Sequence, residues 1–78
     1  MPKLAPELTD RQEQIVAAVA TLTARHGYAP SLREVAGAVG VHPSRAARLA
    51  NVAVRKGYLR HAPGVARSWR VVPREATR

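Results

Sequence analysis

The sequence predicts a mainly α fold, three helices closed by a small β-hairpin, and three observations carry the prediction. Two capping boxes, Thr9–Gln12 and Ser31–Glu34, each precede apolar residues at helical spacing. A third helical stripe follows a very short turn that begins at Gly40. After Gly57 the apolar period changes from helical to the alternation of a strand.

Taken in order, residues 1–7 hold two prolines and read as a flexible N-terminal arm. Thr9 caps a helix over about 10–26, with Ile15, Ala18, Val19 and Leu22 on its apolar face. Gly27 stops it. Tyr28-Ala29-Pro30 is a connection, since proline turns the residue before it away from helical angles. Ser31 caps a second, short helix with the stripe Leu32, Val35, Ala36 and Val39, which ends at Gly40. Val41-His42 form the turn. Pro43 takes the first position of the third helix, where no N–H is needed. Ala46, Leu49, Ala50, Ala53 and Val54 form its buried face, and Gly57 closes it. Tyr58–His61 and Arg67–Val72 read as the two strands, with turn signals in Ala62-Pro63-Gly64-Val65 and with Trp69 and Val71 on one face. Pro73 ends the second strand, and 73–78 reads as a disordered polar tail. Residues 8–72 thus form one domain without repeats. Its second and third helices are joined by a tight glycine turn, so the expected architecture is a winged helix-turn-helix.

Composition bounds the function. A chain of 78 residues makes a core that is barely sufficient, and without cysteine it has no disulfide or thiolate metal site to help. No apolar run approaches the roughly 20 residues that span a bilayer. The N-terminus lacks the apolar stretch of a signal peptide, so the expected location is the cytoplasm, at the nucleoid. The net charge of +8 is placed unevenly. Residues 1–39 sum to zero, and residues 40–78 carry the whole excess with Glu75 as their one acid. A coding bias toward arginine explains arginine over lysine, but not why acids nearly vanish after residue 40. The asymmetry points to a polyanion, nucleic acid before an acidic membrane.

The third helix, over 43–56, concentrates this charge. Ser44, Arg48, Asn51 and Arg55 fall on one stripe with Arg45 beside it, opposite the alanines. The major groove, about 12 Å wide, admits one such helix. Arginine can pair bidentately with guanine, and asparagine with adenine, each at roughly 1–3 kcal/mol of discrimination. Arg45, Arg48 and Asn51, with Ser44, are therefore the candidate base readers. A solvated helix face is the plain alternative for a charge run. Here no acid accompanies the cations, so ion pairing along the helix is not their purpose. Candidate backbone contacts are Ser31 and Arg33 at the start of the second helix, His42 in the turn, Arg55 and Lys56 at the end of the third, and Arg60 and Arg67 beside the hairpin turn over 58–72. Solvated arginines on the strands are the plain alternative for the last two.

These residues resemble the N-terminal DNA-binding domain of LexA-type repressors. The pattern is carried by Leu8, Thr9, Arg11, Gln12, Gly27, Pro30, Ser31, Glu34, Val35, Ala36, Gly40, Lys56 and Gly57, followed by Arg67-Ser68-Trp69-Arg70-Val71. The resemblance covers residues 8–72 and implies operator binding, with the third helix in the major groove and the wing on the backbone. Three departures stand out. His42 replaces the usual serine, implying a weaker cap; Ala47 and Arg48 stand where acidic or neutral residues are common, implying a different operator; Leu49 and Ala50 invert the usual core sizes. Members typically continue into a domain that dimerises and self-cleaves through a serine–lysine dyad. No residues here match that domain, so DNA binding carries over and self-cleavage does not.

Other chemistries find little support. His26, His42 and His61 are scattered, no HExxH or carboxylate cluster suits a metal, and no glycine-rich phosphate loop is present. The expectation is a non-enzymatic protein without cofactor or metal, most simply a regulator or repressor of transcription. The competing class is a winged-helix adaptor that modulates another protein, such as a phage- or plasmid-encoded modulator of a host factor. RNA is disfavoured, because its A-form major groove excludes a helix. Single modules seldom bind tightly alone, so a homodimer, formed in solution or only on DNA, and pairing with another protein both stay open.

Overall fold

A computed structural model describes residues 7–72. The expected tail, and the expected arm apart from Glu7, lie outside the described residues. The helices are α1 (Asp10–His26), α2 (Leu32–Val39) and α3 (Pro43–Arg55). The strands β1 (Leu59–Arg60) and β2 (Arg70–Val71) pair antiparallel, Leu59 opposite Val71 and Arg60 opposite Arg70.

Both capping boxes form. Thr9 Oγ1 accepts from the Gln12 amide at 3.3 Å while Gln12 Oε1 accepts from the Thr9 amide at 3.0 Å. Ser31 and Glu34 repeat the exchange at 3.1 and 2.9 Å. The α2–α3 turn is short because Gly40 takes φ 86°, which lets the Gly40 and Val41 amides both donate to the Ala36 carbonyl. At the end of α3 the Tyr58 amide donates to the Ala53 carbonyl and the Gly57 amide to that of Val54, the paired bonds of a Schellman turn.

The helices close on Ile15, Val19 and Leu22 of α1, Val35 and Ala36 of α2, and Ala46, Ala50 and Ala53 of α3. Leu59 and Trp69 of the hairpin complete this core. The buried positions of α3 are all alanine, so α3 lies close to its neighbours and its long side chains point outward. Leu49 and Val54, expected on the buried face, pack half-buried at its margin.

One local expectation is refined and another corrected. His42 does provide a cap, because its imidazole Nδ1 accepts from the Ser44 amide at 3.1 Å. The strands are much shorter than expected. Arg67 is a left-handed turn residue with φ 56°, outside the ladder. Ser68 Oγ accepts from the Ala62 amide at 3.1 Å and faces the Val65 and Ala62 carbonyls at 2.9 and 3.2 Å, knitting residues 62–68 into a loop. Trp69 is buried with Leu59, while Val71, paired opposite Leu59, remains 38% exposed.

Candidate nucleic-acid interface

The exposed ridge of α3 carries Ser44, Arg45, Arg48, Asn51 and Arg55. Among the described residues, none of its three arginines meets a carboxylate. His42 begins the ridge, with Nδ1 2.9 Å from Ser44 Oγ as well as capping the helix. Beside the ridge runs a groove of ≈ 590 Å³ between the start of α2, α3 and the wing. Ser31, Arg33, Asn51, His61 and Arg67 bring polar atoms to its lining; Leu32, Ala47 and Trp69 are among its apolar residues. Arg33 is exposed in the first turn of α2, where the helix dipole disfavours a cation.

The other predicted contacts divide. Arg60 is exposed on β1. Ser31 is half-buried, and its hydroxyl is engaged as the α2 cap. Lys56 and Arg67 are engaged within the fold. Lys56 Nζ donates at 2.9 Å to both the Glu7 carbonyl and Gln12 Oε1, tying the end of α3 to the start of α1. Arg67 donates from Nη1 and Nη2 to the two carboxylate oxygens of Glu34 at 2.8 and 3.1 Å. Its guanidinium also lies 5.1 Å from the centre of the Tyr28 ring. The Arg67 hydrogen bond, then the Ser31 amide, hold the Glu34 carboxyl down at about 2. The same bond raises the Arg67 pKa. The wing is thus latched to the first turn of α2, the helix that precedes α3.

Three contributors escaped the sequence reading. Glu34 anchors the wing as well as completing a capping box. His61 stacks on Trp69 with ring centres 3.9 Å apart and planes 9° from parallel, forming the wing's base. Arg70 stands directly across from Arg60, a like-charge pair that costs stability unless an anion joins it. The alternation of the second strand held a signal for Arg70; nothing local announced the other two.

A three-helix unit with a tight α2–α3 turn and a hairpin latched beside α3 defines a winged helix-turn-helix domain. The LexA DNA binding domain model matches residues 5–68, and the chain belongs to that family. It is 37% identical over 73 residues to the LexA repressor of Parafrankia sp. (strain EAN1pec), covering 92% of this chain and 29% of that protein. It is 43% identical over 56 residues to the LexA repressor of Thermobifida fusca, covering 70% and 22% respectively. With the LexA repressor of Pseudothermotoga lettingae it shares 43% over 53 residues, 68% of this chain and 26% of that one. The chain spans less than a third of the length of these curated relatives.

Proposed function

We propose that the chain binds duplex DNA sequence-specifically and acts in transcriptional repression, with α3 in the major groove and the wing on the backbone. One observation carries this: the exposed ridge of α3 holds three arginines that meet no carboxylate among the described residues. Family membership supports it, since the relatives are named repressors. Arg45, Arg48 and Asn51, with Ser44, read bases. Arg33, Arg55, Arg60 and the Nε2 side of His42 meet phosphates, helped by the Ser31 end of α2; Arg70 joins Arg60 on one phosphate. Lys56 and Arg67 act by holding α3 and the wing in place. If about five phosphates are neutralised, log K falls with log salt at a slope near −4.5. Two copies reading half-sites about 34 Å apart supply the affinity one module lacks. The work proposed is binding, without cofactor.

Selection of sites from a randomised duplex library at about 150 mM salt tests the reading. The expected result is a motif with guanine positions that an Arg45→Ala, Arg48→Ala double variant fails to select. Binding that follows salt alone and yields no motif overturns sequence-specific recognition and favours the adaptor class.

A further inference from the structure

A serine hydroxyl both donates and accepts, so a serine that touches a base normally discriminates little. The cap of α3 removes that ambiguity at Ser44. The Ser44 backbone amide can only donate, and it lies 3.1 Å from His42 Nδ1. That nitrogen therefore presents its lone pair, and the imidazole proton sits on Nε2. Ser44 Oγ lies 2.9 Å from the same Nδ1. Two lone-pair atoms this close repel unless a proton stands between them, and the hydroxyl's own proton is the one remaining. The Ser44 O–H is thus directed at Nδ1, which accepts from both the amide and the hydroxyl. Only lone pairs of Oγ are left facing out from the exposed ridge.

We infer that His42 fixes Ser44 as a hydrogen-bond acceptor, so that Ser44 selects a base bearing an amino group in the major groove. Adenine offers N6 there and cytosine N4; guanine and thymine present acceptors alone and are rejected at the contacted base. His42 is a positioning residue in this scheme and acts through the serine. The inference rests on α3 being the DNA-reading helix. It also gives the two kinds of reader complementary demands: Arg45 and Arg48 supply donors only, and Ser44 an acceptor only.

Position-specific preferences of the chain and its variants test this. The base position whose preference Ser44→Ala changes is the serine's contact. There the unaltered chain is expected to favour adenine or cytosine over guanine or thymine about five- to tenfold, and comparing the four bases shows which amino group is used. His42→Ser retains a good N-cap, but its hydroxyl donates as well as accepts and leaves the Ser44 proton undirected. It is expected to shrink the ratio to about twofold or less, with the guanine preferences set by Arg45 and Arg48 intact. His42→Asn caps through an oxygen that only accepts, so it should keep the preference. Thermal melting of each variant reports whether it folds. A guanine or thymine preference at the serine's position, or an undiminished ratio in a folded His42→Ser, overturns the inference. If no position responds to Ser44→Ala while the arginine variants lose theirs, the inference fails and DNA reading stands. If no motif is selected at all, DNA reading itself fails.

Discussion

Arg48 and Arg67 carry the same guanidinium in the same basic half of the chain, yet the fold uses them in opposite ways. Arg48 stands exposed on a helix face with no carboxylate among the described residues to meet it. Arg67 lies with its fork on Glu34 and its plane over Tyr28. Lys56 sides with Arg67, since its ammonium is held by Glu7 and Gln12. Net charge therefore overstates what is offered to a polyanion. The tied cations set the geometry in which the untied ones are presented.

The strongest way to break this distinction is at the untied end. Arg45→Ala with Arg48→Ala should lower affinity for a selected site by about thirtyfold, the loss of two bidentate contacts at the low end of their range. The melting temperature should hardly move, because neither side chain meets a carboxylate among the described residues. A comparable fall in melting temperature would mean that the ridge is structural.

Lys56→Met tests the tied end. The methionine keeps the half-buried stem and removes both hydrogen bonds, so unfolding should become easier by about 1 kcal/mol. The salt slope of DNA binding should stay as it was. A slope shallower by about 0.9 would place the Lys56 ammonium on a phosphate instead.

A smaller effect is expected at the latch. Glu34→Gln preserves the capping box, as Gln12 does for α1, and removes both the charge facing Arg67 and the oxygen that accepts from Arg67 Nη2. Glu34 is lowered from 4.5 to about 2 in the fold, so its contribution to stability is fully present above 4.5 and lost as pH falls toward 2. Acid titrations of unfolding should therefore bring the two proteins together across that window and run parallel above it. Solvent screening keeps the effect modest, because both side chains are substantially exposed. DNA affinity at neutral pH should fall a few-fold as the wing loosens, and an unchanged affinity would show that the wing needs no latch.

The helices were legible because their signals are local. Thr9 with Gln12, Ser31 with Glu34, Gly40 and Pro43 each act within one turn of where they stand. The exposed face of α3 was legible for the same reason, since Ser44, Arg48 and Asn51 share it by helical spacing alone. The wing was not. Arg67 leaves the strand for a carboxylate 33 residues away, and Ser68 binds back across its own loop to Ala62. His61 finds its meaning only once Trp69 is folded against it. Charge pattern gives the number of cations, and tertiary contact decides which are engaged. The His42 cap bond was hidden on different grounds: residue type argued for weakness, and the geometry of a five-membered ring next to the Ser44 amide supplies an acceptor.

A substitution that touches neither set of cations completes the comparison. Gly37 lies inside α2, exposed, with nothing within 4 Å of where a Cβ would stand and with no positive φ to defend. Glycine in a helix interior costs about 0.5–1 kcal/mol relative to alanine, through the freedom it retains when unfolded. Gly37→Ala should therefore stabilise the fold by about that amount while leaving affinity and salt slope where they were. It makes the helix that carries Glu34 firmer without altering any charge. If affinity rises along with stability, mobility of α2 was limiting how the wing and the α3 ridge meet DNA together, and the latch's role extends beyond Arg67. If affinity stays constant, the contacts at Glu34 already hold α2 in place, and stability and recognition are set by separate groups of side chains.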